Sequence, residues 1–153
     1  MSKKPTSTDA QLILQLYDLR REPEMRKARS WVQTEFWPQS VEDYLKISSA
    51  MGTQQNAWLR QVGSYWSMAA AFALSGALNA DLFLQPSISG EMYFLFAKVQ
   101  PHLKELRKKL GDPKFFSNIE KLIASSKESR NRLDFTLERI QALSQKRTTA
   151  KVS

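Results

Sequence analysis

The chain has 153 residues, 42% hydrophobic and 25% charged, with five glycines, six prolines, one histidine and no cysteine. This length suits one domain whose core folds without a disulfide or a metal. The residue counts exclude thiolate zinc sites, iron–sulfur clusters, a cysteine nucleophile and a multi-histidine metal site within the chain.

Thr8 and Asp9 precede a first helix with Leu12, Leu16 and Leu19 at helical spacing. Pro23 suits the first turn of a second helix running to about Phe36, and Pro38 ends it. Ser40 caps a short third helix with Glu42 and Asp43 in its first turn. Thr53 opens the longest helix, which runs to about Ser75 and stops at Gly76. One of its faces carries Trp58, Val62, Tyr65, Trp66, Ala69, Phe72 and Ala73; another carries Gly63, Ser67, Ala71 and Ser75, short side chains that admit a neighbouring helix. Asn79 caps a short turn of helix ending near Pro86, and residues 87–90 form a loop. A helix then starts at Glu91 with the all-apolar run Met92 to Ala97, suited to the core or to a second subunit. Pro101 kinks or breaks it. Leu103, Leu106 and Leu110 then face inward, and Gly111 stops the helix. Asp112-Pro113 opens the next helix as cap and first residue, with Phe115 and Phe116 on its inner side. The final helix, about Glu128 to Lys146, turns Leu133, Leu137 and Ile140 to one side.

The expected fold is therefore all-α: a single-domain bundle of about six to eight helices around a long central helix. The domain spans residues 8–146, with 1–7 and 147–153 as disordered ends. The apolar stretch Leu12 to Leu14 is too short for a signal peptide. Residues 61–80 are uncharged and have the length of a membrane span, but seven polar or glycine residues make them a buried core helix instead. A cytoplasmic, bacterial-type protein is expected, with no membrane span.

The segment Leu16-Tyr17-Asp18-Leu19-Arg20-Arg21-Glu22, followed by Met25-Arg26, Ala28-Arg29-Ser30-Trp31, Phe36 and Pro38, resembles the opening of a family of small uncharacterised bacterial helical proteins. Tyr65-Trp66, Met68-Ala69-Ala70 and Gly76-Ala77-Leu78 are similar to its middle, and the likeness covers roughly residues 12–122. It implies a helical fold and no particular activity. Ser67 stands where the family pattern often has an acidic residue, so no acid–base role carries over to that position.

The formal charge of +8 is uneven. Residues 1–97 carry nine basic and nine acidic residues and residues 98–153 fourteen and six, so the whole excess lies in the last third. Such a split points to an anionic partner or to a solvated face. The candidate contacts for an anion or a nucleic acid are Lys104, Arg107, Lys108, Lys109, Arg132, Arg139 and Lys146. Phe115, Phe116 and Phe135 are read as core residues rather than stacking platforms.

No glycine-rich phosphate loop, serine elbow or metal motif is present in the sequence, and no cofactor is expected. His102 is read as a surface or capping residue, and Glu22/Glu24 and Glu42/Asp43 as acids at helix starts. Asp18 with Arg21, and Glu22 with Arg26, have the spacing of helix-surface ion pairs. The best polar constellation is Tyr17, Asp18, Arg20, Arg21, Glu22, Arg26 and Arg29. The candidate polar pocket takes Tyr17, Arg21 and Arg29 with Tyr65 and Trp66, because the planar fork of an arginine grips a carboxylate or phosphate with two bonds. The leading functional expectation is a non-enzymatic interaction or regulatory module, self-associating through Met92 to Ala97 or binding another protein. Nucleic-acid binding through residues 98–153 is the alternative, and a small-anion-binding enzyme the third.

Overall fold

A computed structural model describes residues 3–153. Among these there is no strand, and eight α-helices of eight residues or more are joined by short connections. They are α1 (Ser7–Leu19), α2 (Pro23–Thr34), α3 (Val41–Ser48), α4 (Gln54–Leu74), α6 (Pro86–Val99), α7 (Leu103–Leu110), α8 (Ser117–Ala124) and α9 (Lys127–Val152). A four-residue helix, α5 (Ala80–Phe83), follows α4, and a 3-10 turn (Gln100–His102) joins α6 to α7. No described helix is long and apolar enough to cross a membrane.

The helix ends follow local chemistry. Ser40, Thr53 and Asn79 accept from backbone N–H groups of α3, α4 and α5 respectively, as their positions predicted. Gly76 and Gly111 stop α4 and α7 in the left-handed region, at φ 82° and 65°. Pro101 lies within the 3-10 turn, where the helix breaks. Three boundaries differ from the expectation. The α1 cap is Thr6, which forms a reciprocal capping box with Asp9, so the helix starts ahead of Thr8. Residues 87–90 belong to α6 instead of a loop, with one non-helical residue, Ser89, marking a kink. Helix α8 begins at Ser117 rather than Pro113, because Asp112 accepts from the Lys114 N–H in a turn and Phe116 takes a left-handed φ of 57°.

The core sits around α4, which packs against α2, α3 and α8, while α9 packs on α6 and α8. Burying Trp66, Phe36, Phe83, Tyr93 and Phe96 almost completely supplies the main apolar driving force. Within the run Met92 to Ala97, every residue but Phe94 is buried inside the chain. Its apolar surface is spent on the core, so the self-association surface placed there is corrected. The expected inner residues Leu19, Phe72, Leu110 and Phe135 are exposed.

The chain ends also differ from the expectation. Helix α9 has 26 residues against 21 for α4 and continues to Val152, where a disordered tail from 147 was expected. Arg147 holds that end by donating to the Thr34 carbonyl at 2.8 Å. At the other end, Met1 and Ser2 lie outside the described residues, and Asn79 donates to the Lys3 carbonyl.

Asn56 ties two helices together. It is fully buried, and its amide donates to the carbonyls of Ile47 and Ser48 at 3.1 and 2.8 Å, closing the end of α3, while its Oδ1 accepts from Arg60. Asn56→Ala strands those groups and is expected to cost about 2 kcal/mol in urea denaturation.

Candidate functional site

Three places collect chemistry. The first lies where the end of α1, the middle of α2 and the start of α6 meet. Glu91 receives Arg29 Nε at 2.8 Å and Arg29 Nη2 in a two-pronged pair, and Arg20 Nη2 lies 2.9 Å from Glu91 Oε1. Gln33 adds a fourth donor, and Arg29 Nη1 reaches back to the Arg20 carbonyl. Burial alone would raise the Glu91 pKa. The hydrogen bond from Arg29 and the charges of Arg20 and Arg29 outweigh it and hold the carboxyl below its ordinary value. Arg20 lies over the rings of Tyr17 and Trp66, at 5.5 and 5.2 Å from their centres. Tyr65 donates to the Leu16 carbonyl at 2.6 Å, and burial pushes its hydroxyl up to about 12.

The expected pocket is thus partly assembled, with one arginine exchanged. Tyr17, Arg29, Tyr65 and Trp66 converge, but the second guanidinium among them belongs to Arg20, while Arg21 is exposed and makes no ion pair among the described residues. Arg21→Ala is expected to stay within about 0.5 kcal/mol of wild type in thermal unfolding. The Asp18–Arg21 and Glu22–Arg26 pairs do not form among the described residues. Each straddles a helix end: α1 stops at Leu19, and Glu22 instead caps α2 by accepting from the N–H groups of Glu24 and Met25.

The second place is a lysine clamp. Lys98, 3% exposed, puts its Nζ 2.6 Å from the Val32 carbonyl, 3.7 Å from the centre of the Trp37 ring and 4.4 Å from that of Phe94. Arg147 stacks on Trp37 as well, at 5.1 Å. Burial, helped by Arg147, pulls the Lys98 pKa down to about 7. The ammonium and guanidinium together cap the last carbonyls of α2, the position where a helix attracts cations. Sequence reading passed over Lys98, although a lysine continuing an apolar run is a sign of burial.

The third place is a mostly apolar groove of about 640 Å³ between α3, α4 and the α7–α8 connection, walled by Tyr44, Ala57, Ser64, Leu110 and Phe115, with Arg60 beside them. The basic candidates are divided between α7 and α9. Lys109 pairs with Glu42 at 3.0 Å and Arg107 with Glu120 at 3.1 Å, while Lys104 and Lys108 are exposed. Helix α7 packs against α3, and Arg139 and Lys146 are exposed on α9. Arg132 is half-buried over the exposed ring of Phe135. His102 takes the cap position of α7 without a side-chain capping bond. Among the described residues, no three acids or histidines are grouped to hold a metal.

Residues 5–126 match the family described as a domain of unknown function, DUF4760. The chain belongs to DUF4760. No curated protein and no solved structure matches it. The DUF4760 span holds α1 to α8 and stops at the cap of α9, so the arginine–glutamate node, the groove and Lys98 lie inside it. Helix α9, which supplies Arg147, lies outside the DUF4760 span.

Proposed function

We propose that this chain is a non-enzymatic interaction module that receives an amphipathic, acid-flanked helix of a protein partner along the outer face of α4. One observation carries the reading. The small-residue stripe of α4 is fully covered at Gly63, where an added Cβ would lie 3.6 Å from Phe116. Beyond it Ser67 and Ala71 are half-exposed and Ser75 is exposed, and Ser64, Met68 and Phe72 beside them are exposed too. An outward helix face is normally charged, yet no residue from 61 to 80 carries a charge. This face runs into the apolar groove, where Arg60 favours acids at a ligand's edge.

The test places benzoylphenylalanine at position 64 or, as a control, at exposed position 121, and irradiates cells producing each protein. Support is an adduct specific to position 64, lost in Met68→Glu, whose cross-linked partner segment is acidic and amphipathic. Equal adducts at both positions, or none, overturn the reading. So does tight, steeply salt-dependent binding of labelled duplex DNA or RNA that vanishes on reversing Lys108, Arg132 and Arg139, which assigns the basic third to nucleic acid instead.

A further inference from the structure

A cavity of about 270 Å³ opens beside the arginine–glutamate node, between α1, α4, the end of α5 and the start of α6. Its walls include Ile13, Leu16, Phe83 and Ile88, and Arg20 and Trp66 line it with Tyr17, Tyr65 and Ser87. Trp66 is 1% exposed, and its indole Nε1 has no hydrogen-bond partner. Arg20 Nε is buried without a partner as well, although the other two nitrogens of the same guanidinium reach Glu91 and the Ile88 carbonyl. A buried donor left unmet costs about 1–3 kcal/mol, and both unmet donors belong to side chains that line this one cavity, so an acceptor reaching them from it would relieve that cost.

Charge selects the kind of acceptor. Two guanidinium groups, Arg20 and Arg29, share the single carboxylate of Glu91, and these three are the charged groups acting on Tyr65. The node therefore keeps one surplus positive charge next to an apolar chamber. A water would meet the donors but leave the charge and the apolar walls unmatched.

We propose that this cavity binds a small aliphatic monocarboxylate, its head on Arg20 and Trp66 and its chain among Ile13, Leu16 and Ile88. Volume limits the ligand to a short chain, since pockets for drug-sized ligands run to roughly 300–1,000 Å³. The site is separate from the outer face of α4, and either can fail alone.

The test follows the indole N–H signal of Trp66, one of four tryptophans, in two-dimensional ¹H–¹⁵N spectra during titration with sodium hexanoate. Trp66→Phe assigns the signal by its loss. Hexanoate is expected to move it saturably, and 1-hexanol, which has the same chain without the charge, is expected not to. Arg20→Lys keeps the positive charge facing Glu91 but deletes Nε, and should weaken hexanoate about tenfold or more. No saturable shift in wild type overturns the proposal. An equal response to hexanol overturns it too, reducing the cavity to an apolar void. An affinity unchanged in Arg20→Lys also overturns it.

Discussion

Glu91→Gln is expected to lose about 2–3 kcal/mol of stability at pH 7 in urea denaturation, more than a surface ion pair is worth. The reason is the company of the carboxylate. Arg20 and Arg29 have side chains only 11% and 22% exposed, and both pair with Glu91. A neutral amide leaves two crowded guanidinium groups with hydrogen bonds to its single oxygen at best and no opposing charge. The same pair gives the pH signature. Because the Glu91 pKa in the folded chain lies below its ordinary value of 4.5, the stabilisation is complete above about pH 4.5 and is lost as pH falls through the folded value. The gap between wild type and variant should therefore close on acidification. A gap that stays constant down to about pH 3 would mean that the ionised pair contributes nothing.

The node also shows where sequence reading stops. That arginines from the α1–α2 region meet Tyr65 and Trp66 was legible, because α4 is the central helix and its aromatic face must be covered. Which arginine was not legible. Helix α1 ends at Leu19, so helical spacing does not place Arg21 two residues later, and a single residue of register decides between Arg20 and solvent. Glu91 is 62 positions from Arg29, and nothing local marks it beyond its place before an apolar run.

Helix punctuation was the most legible part of the fold. Ser40, Thr53, Asn79, Gly76 and Gly111 each act through their own side chain or backbone freedom, so neighbours in sequence suffice to identify them. The start of α8 failed because tertiary packing overrode a good local signal. Asp112-Pro113 is a sound helix opening, yet Phe115 stacks edge-on against Tyr44, at 5.8 Å between ring centres, while Phe116 is buried against Gly63. Serving both contacts takes Phe116 out of helical geometry, and the helix waits until Ser117. The far end of α9 failed for a related reason. A polar, basic tail has no local cause for order, but Arg147 finds the open carbonyl of Thr34 and the face of Trp37.

Lys98 gives the other large expected effect, in a higher pH window than Glu91 but in the same direction, with stability rising as the pH rises. Three interactions favour its charge: the Val32 carbonyl, the end of the α2 dipole and the rings of Trp37 and Phe94. Removal from water opposes it and wins, with Arg147 adding repulsion, so the group titrates near 7 in the fold against 10.5 in the unfolded chain. Between those values the unfolded chain holds a proton that the folded chain has released, and raising the pH therefore stabilises the fold. The gain from pH 7 to pH 9 is expected to be roughly 2 kcal/mol, read as a rise in the urea midpoint. Lys98→Met keeps most of the buried volume without the charge, so its midpoint should change little over that window, and it should gain on wild type as the pH is lowered. If wild type and Lys98→Met instead run parallel from pH 6 to pH 9, the lysine is charged throughout. The carbonyl and ring contacts would then repay its desolvation in full, and the clamp would be a permanent cap on α2 with no response to pH.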